Sequence, residues 1–283
     1  MVDNALTVAV VGTGRMGGAM TGTLRRAGFP VVVFNRTRHK AEEVAQATGA
    51  EVAGTARAAA ATADVVICSL ADDTAVKAAY AGADGLTAGL RPGAVVAETS
   101  TVAPQTVHAV RPLVEDRGAA LLDAPVSGSV SLVEVGQLTV MAGGAPEALE
   151  RARPALDVLA ARVFRVGDLG SGMTMKLAVN AVVHALNQAL SESLVLAEKA
   201  GVERERAYEV IAASAVAAPF VHYKRESFEH PDRSPVAFSL DLVGKDLDLI
   251  LGLARQVGAG WIRPRRTAGS RATPSRRASR SMT

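Results

Sequence analysis

Seven short runs of aliphatic and β-branched residues, separated by alanine-rich stretches, limit how this chain can fold. "TVAVV" (7–11), "VVVF" (31–34), "DVVICSL" (64–70), "AVVAE" (94–98), "ALLD" (120–123), "LTVMAG" (138–143) and "VFRV" (163–166) read as strands. Most are apolar without alternation, as strands are when crossover helices cover both faces of a sheet. Residues 1–166 are therefore expected to form an α/β domain with a doubly wound parallel sheet.

From Gly167 the pattern changes to helices alone. The first runs from about Gly172 to Ala200 and stops at Gly201. At 1.5 Å per residue it spans roughly 43 Å, long enough to link two domains or cross a subunit interface. Further helices are predicted over about Glu203–Ala217 and Leu240–Val257, so residues 167–262 read as an all-α domain built on a long interdomain helix.

Residues 263–283 hold seven arginines and no acid, and beyond Ile262 there is no Leu, Val, Ile or aromatic residue. Such a segment cannot enter a core and reads as a basic disordered tail. Subtracting its +7 from the whole-chain +3 leaves −4 for the rest, so the sequence pI of 9.2 belongs to the tail. Overall charge thus gives no argument for nucleic-acid binding. No apolar run approaches the ~20 residues that span a bilayer. The opening segment reads as a strand, so no secretory signal is expected, and Cys68 is the only cysteine. A cytoplasmic protein without an internal disulfide is the expectation.

"VAVVGTGRMGGAM" places Gly12, Gly14 and Gly17 directly after a strand and at the start of a helix. Gly-x-Gly-x-x-Gly alone is a weak signal, but here a second strand follows about 20 residues on, the context of a Rossmann dinucleotide site. Gly12 permits the turn, Gly14 lets backbone approach a pyrophosphate, and Gly17 allows close helix–sheet packing. Gly12, Gly14, Met16 and Gly17 are candidate cofactor contacts. At the end of the second strand, where an NAD site carries Asp or Glu, this chain has Asn35, Arg36 and Thr37. Arg36 suits a 2′-phosphate, which a carboxylate would repel, so NADP is expected ahead of NAD.

"GMTMKLAVNAVVHAL" (172–186) sets Lys176 into an otherwise apolar run. On a 3.6-residue period Lys176, Asn180, His184, Asn187 and Ser191 fall within an arc of about 80°. A helix apolar nearly all round, with one polar stripe, is expected to be buried and to present that stripe to a cleft. His184 could line the cleft but reads as a packed or solvated histidine, because no acid or cysteine at ligand spacing accompanies it, and no metal site is suggested.

Four stretches, "GTGRMGGAM" (12–20), "DAPVSGS" (123–129), "GSGMTMKLAVN" (170–180) and "GKDLDL" (244–249), occur in the order seen in β-hydroxyacid dehydrogenases. The chain resembles that family over about residues 5–258. The group contains 3-hydroxyisobutyrate dehydrogenase, tartronate semialdehyde reductase and glyoxylate/succinic semialdehyde reductases. The resemblance implies that Lys176 is the catalytic lysine and that Asn180 orients the substrate. It places substrate binding at Ser127 and Gly128, and a second lysine, Lys245, near nicotinamide and substrate. It also implies cofactor contacts at Leu70, Ala71 and Thr101, and a homodimer. Ser129 stands where a second glycine is usual, and Ala71 where proline is usual. The implied activity is hydride transfer between a nicotinamide cofactor and a short 3-hydroxy acid or its semialdehyde, with Lys176 as general acid and base. Burial and Lys245 are expected to lower the Lys176 pKa into a working range.

Two alternatives stand beside this. One is an imine reductase of the same architecture, in which the lysine position typically carries Asp or Tyr. The other is a cofactor-binding protein, impaired in catalysis, whose basic tail holds nucleic acid. Family members continue with further apolar helices where this chain turns to Arg, Ala, Ser and Pro. That change resembles a shifted reading frame, which would leave the helical domain incomplete and the dimer in doubt.

Overall fold

A computed structural model of the chain describes residues 6–234 and 238–260. It contains two compact units that divide between Leu177 and Ala178. In the first, strands and helices alternate. β1 (Val8–Val11), α1 (Arg15–Arg26), β2 (Val31–Phe34), α2 (Arg38–Thr48) and β3 (Glu51–Val52) come first. α3 (Ala56–Thr62), β4 (Val65–Cys68), α4 (Asp73–Tyr80), β5 (Val95–Glu98), α5 (Pro104–Glu115) and β6 (Ala120–Asp123) follow. The unit continues with β7 (Val126–Ser127), α6 (Val130–Glu134), β8 (Leu138–Gly143), α7 (Pro146–Leu159) and β9 (Ala160–Gly167).

The sheet runs β3-β2-β1-β4-β5-β6-β8-β7, with β9 paired to β8. From β3 to β6 every pairing is parallel. β8 then runs antiparallel to β6 and β7 and parallel to β9. The doubly wound Rossmann-type sheet is thus parallel-dominated, with a mixed flank beyond β6. β3 and β7 were not foreseen, because two residues carry no readable pattern. β9 lies at the edge of the sheet and leaves Phe164 and Val166 exposed, so its apolar run does not mark a strand covered on both faces.

β1, β4 and β5 are buried at every residue. Val8, Val10, Ile67 and Val95 pack with Met20 and Leu24 of α1 and Leu156 of α7. The opposite face sets Ala9, Val11, Val66 and Val96 against Ala59, Val76, Tyr80 and Val107 of α3, α4 and α5. Each such aliphatic side chain contributes about 1.5–3 kcal/mol by leaving water. The last residues of the central strands, Val11, Cys68, Glu98 and Asp123, are partners in register. They form one row along the carboxyl-terminal edge, where ligands bind in folds of this kind.

α8 (Ser171–Lys199) begins in the first unit and continues into the second. Gly201, with φ +91°, ends it in the left-handed conformation that stops the helix. α9 (Arg204–Ala213), α10 (Pro219–Tyr223), α11 (Arg225–Glu229) and α12 (Leu240–Gln256) complete the second unit. Leu190, Leu194, Ala207, Tyr208, Val221 and Phe228 form its core.

Two expectations need correction. α9 stops at Ala213, not near residue 217, and the chain restarts at Pro219, whose fixed φ suits a first helical position. α8 is not apolar-buried all round: Val182 and Leu196 are 66% and 71% exposed, while Asn180 and His184 of the polar stripe are buried. No helix among the described residues is long and apolar enough to cross a membrane. The basic tail, residues 263–283, lies outside the described residues.

Candidate active site

The loop between β1 and α1 is shaped by its three glycines. Gly12 has φ +97°, and a Cβ there would lie 2.2 Å from the Ser69 carbonyl oxygen. A Cβ on Gly17 would meet the Gly12 oxygen at 1.9 Å, so α1 approaches the strand to backbone contact. Gly14, by contrast, has nothing within 4 Å of its Cβ position. It caps α1 without a side-chain bond, leaving backbone N–H groups of the first turn to meet an anion. This is a cradle of the shape a dinucleotide pyrophosphate needs.

Asn35 Oδ1 accepts the Thr13 N–H at 3.1 Å, and its Nδ2 donates to the Thr37 carbonyl at 3.0 Å. Asn35 therefore braces the glycine loop. Arg36 and Thr37 are exposed beside it, whereas the neighbouring Arg38 is paired with Glu42.

The loops after β4 and β5 are tied together. The Leu70 N–H donates to Ser100 Oγ at 2.7 Å, and the Ser100 N–H donates to Glu98 Oε1 at 2.9 Å. Tyr80 Oη donates to the other carboxylate oxygen at 2.9 Å. Burial pushes the Glu98 carboxyl up to about 7, against the opposing bonds from Ser100 and Tyr80. Cys68 and Tyr80 beside it are likewise pushed well up, first by burial. Leu70, Ala71 and Thr101 thus sit on loops at one end of the sheet, with Leu70 and Thr101 half-buried and Ala71 exposed.

Ser127 closes β7, and Gly128 follows with φ +141°. A Cβ at Gly128 would stand 2.6 Å from Leu138 Cδ2. Ser129, in the usual place of a glycine, shares a 2.8 Å hydrogen bond with Ser131.

The start of α8 is held from β6. Asp123 accepts the Gly170 N–H on Oδ1 at 2.8 Å and the Met173 N–H on Oδ2 at 2.7 Å. Burial raises the Asp123 carboxyl above its ordinary value, and these two backbone bonds oppose the rise. Lys176 follows one turn later and is half-buried.

In the second unit, Asn180 Nδ2 donates to Asp246 Oδ2 at 2.8 Å. His184 Nε2 lies 3.5 Å from the same oxygen, and Lys245 Nζ lies 3.2 Å from Oδ1. The His184 ring stacks on Phe238 at 6.3 Å between centroids. Of the packed and solvated readings that the sequence leaves for His184, the structure shows the packed one, with the Asp246 carboxylate beside it. Asp246 itself was missed as a site residue. The available signal is that it shares a helical face with Ile250 and Ala254, all three buried, where an acid needs partners.

A glycine cradle at the carboxyl-terminal edge of a doubly wound sheet is the form of a dinucleotide-binding domain. Residues 7–167 match the NAD-binding domain of 6-phosphogluconate dehydrogenase, and residues 170–263 match the NAD-binding domain of NADP-dependent 3-hydroxyisobutyrate dehydrogenase. The chain is 32% identical over 252 residues to glyoxylate/succinic semialdehyde reductase 2 of Arabidopsis thaliana, covering 89% of this chain and 70% of that protein. It is similar to the Mycobacterium tuberculosis 3-hydroxyisobutyrate dehydrogenase solved with L-serine, at 32% identity and TM-score 0.80, over 93% of this chain and 91% of the other. Psf3, solved with NADP+ and 2-OPP, matches at 27% identity and TM-score 0.85, over 93% and 92%. An imine reductase from Pseudomonas at 21% identity and TM-score 0.68 shares the fold. The chain belongs to the β-hydroxyacid dehydrogenase family and is an NAD(P)-dependent hydroxyacid dehydrogenase.

Proposed function

We propose that this enzyme uses NADP to interconvert a short 3-hydroxy acid and its semialdehyde, with Lys176 as general acid and base. One observation carries the reading. Lys176 and Asn180 stand one turn apart on α8, and Asn180 commits its Nδ2 to the buried Asp246. That leaves Asn180 Oδ1 to accept a hydrogen bond from Lys176 or from the substrate hydroxyl.

Gly12, Gly14, Met16 and Gly17 hold the dinucleotide pyrophosphate, with Leu70, Ala71 and Thr101 completing the cofactor contacts. Asn35, Arg36 and Thr37 face the adenine ribose, where the exposed Arg36 guanidinium pairs with a 2′-phosphate. When bound, the cofactor supplies or takes the hydride at its nicotinamide ring. In reduction, the Lys176 ammonium gives a proton to the developing alkoxide; in oxidation, the neutral amine takes it back. The Ser127 hydroxyl and Gly128 N–H donate to the substrate carboxylate, and Lys245 adds a positive charge near substrate and cofactor. Lys176 favours hydroxyacid chemistry over imine reduction, and the names of the relatives agree with that choice. A cytoplasmic homodimer completes the reading, with the exposed Val182 and Leu196 of α8 as its apolar contacts.

The test is turnover of glyoxylate, succinic semialdehyde, tartronate semialdehyde and 3-hydroxyisobutyrate with each cofactor. Lys176→Met is expected to lower kcat about 10³-fold while the NADPH Kd stays within about twofold. Near-normal turnover in that variant sinks the assignment. Arg36→Ala should weaken NADPH binding by about 10–100-fold and leave NADH binding unchanged, as loss of a charge-assisted phosphate contact requires. Equal loss for both cofactors would contradict the 2′-phosphate role.

A further inference from the structure

Asp123 takes no part in the chemistry proposed above, yet it is fully buried and spends both carboxylate oxygens on the backbone at the start of α8. The partners are 47 and 50 residues away in sequence, so this is a tertiary cap and not a local turn. Two glycines pack closely against it. A Cβ on Gly143 would meet Asp123 Oδ1 at 2.3 Å. A Cβ on Gly172 would meet the Met141 and Asp123 carbonyl oxygens at 2.4 and 2.5 Å. The first turn of α8 is thereby pressed backbone to backbone on β6 and β8.

Lys176 is three residues beyond Met173, about 4.5 Å along the helix axis. Helical side chains lean toward the helix N-terminus, which brings the Lys176 stem back over the turn that Asp123 holds. That end of a helix carries partial positive charge and disfavours an ammonium. A carboxylate bonded to its N–H groups offsets the charge. Among the described residues, two other titratable groups stand against Asp123. They are Glu98, its register partner on β5, and His108 of α5, packed on Gly170 and acting on the Asp123 carboxyl by its charge.

We propose that Asp123 is the positioning residue for Lys176: it fixes the first turn of α8 and supplies the negative charge that lets an ammonium stand near that helix end. The inference rests on the reading of Lys176 as general acid. It extends that reading to a residue on a strand, whose two carboxylate oxygens are committed to backbone N–H groups.

The experiment compares wild type, Asp123→Asn, Asp123→Glu and Lys176→Met in the reductive direction, recording kcat, KM, NADPH Kd and the alkaline limb of the kcat profile. Asp123→Asn is expected to lower kcat about 10–100-fold, as a small misplacement of a reacting group does. NADPH Kd should stay within about twofold, and the alkaline limb should move down, because the negative charge bonded to the first turn of α8 is lost. Asp123→Glu keeps the charge and should keep the limb at its wild-type position. If circular dichroism finds Asp123→Asn unfolded, Asp123→Ser, smaller and also neutral, is read by the same criteria. An unmoved limb in the neutral variant overturns the proposal, whether kcat is normal or falls together with NADPH binding. Lys176→Met separates the two ideas. An inactive Lys176→Met beside a normal Asp123→Asn overturns this inference alone, whereas an active Lys176→Met removes the reading beneath it.

Discussion

The two units solve the same problem with different materials. The first holds its functional elements with backbone: glycines that let strands and helices touch, N–H groups left open at Gly14, and two backbone donors on Asp123. The second uses side chains, gathering Asn180, His184 and Lys245 around Asp246. Glu98 lies between these cases, with one backbone donor from Ser100 and one phenol from Tyr80. Backbone donors are present whatever the side chain, so sites of the first kind depend on the glycines and on the acceptor, Asp123, and not on the residues that supply the N–H groups. Sites of the second kind depend on each named partner, because a buried acid that loses its donors keeps its full desolvation cost.

The sharpest way to break the backbone-built half is Gly17→Ala. Its new Cβ has to displace the Gly12 carbonyl, since 1.9 Å is no contact two atoms can share. Loss of more than about 100-fold in NADP affinity is expected, with a lower melting temperature, whereas Leu70→Ala on the adjoining loop should cost far less. Equal binding by both variants would remove the distinction.

For the side-chain-built half, Asp246→Ala is expected to destabilise the second unit by about 3–5 kcal/mol in denaturant unfolding. The buried Asn180 loses its acceptor, and His184 and Lys245 lose the carboxylate they lie beside. A change below about 1 kcal/mol would mean that the cluster is not held by its acid.

Glu98 sharpens the comparison by pH. Its folded carboxyl lies near 7 against 4.5, so the folded state holds a proton that the unfolded chain has released in that window. Its contribution is complete below about pH 4.5 and is lost as pH rises through about 7, by up to about 3 kcal/mol. Glu98→Gln mimics the protonated acid and should equal wild type near pH 4.5 and exceed it in stability at pH 8. A pH-independent difference between the two proteins would contradict this.

Legibility followed the same division. The alternation of strands and helices, the glycine loop and the long helix to Gly201 could be read because each is local, set by hydropathy period and by residues with special backbone freedom. Lys176 and Asn180 share a helix face by arithmetic alone. Asp246 could have been found, since an acid on the buried face of α12 signals a partnered site, but its partner is 66 residues away. Asp123 lay in plain view in "DAPVSGS" with nothing local to show what its carboxylate does. The exposed side of α8 was misread because an apolar composition says how many faces could be buried, not how many are.

The sequence by itself determined the α/β class, the dinucleotide loop and the family-like lysine. The first two depend on contacts within a few residues or on a repeating period, and the lysine on the resemblance of four motifs in order to a family. Only the tertiary structure decided which acids are buried, which donors they meet, and that α8 starts under the control of a strand 47 residues before it. Burial and partner choice are properties of chain segments far apart in sequence, brought together by packing that no local pattern encodes.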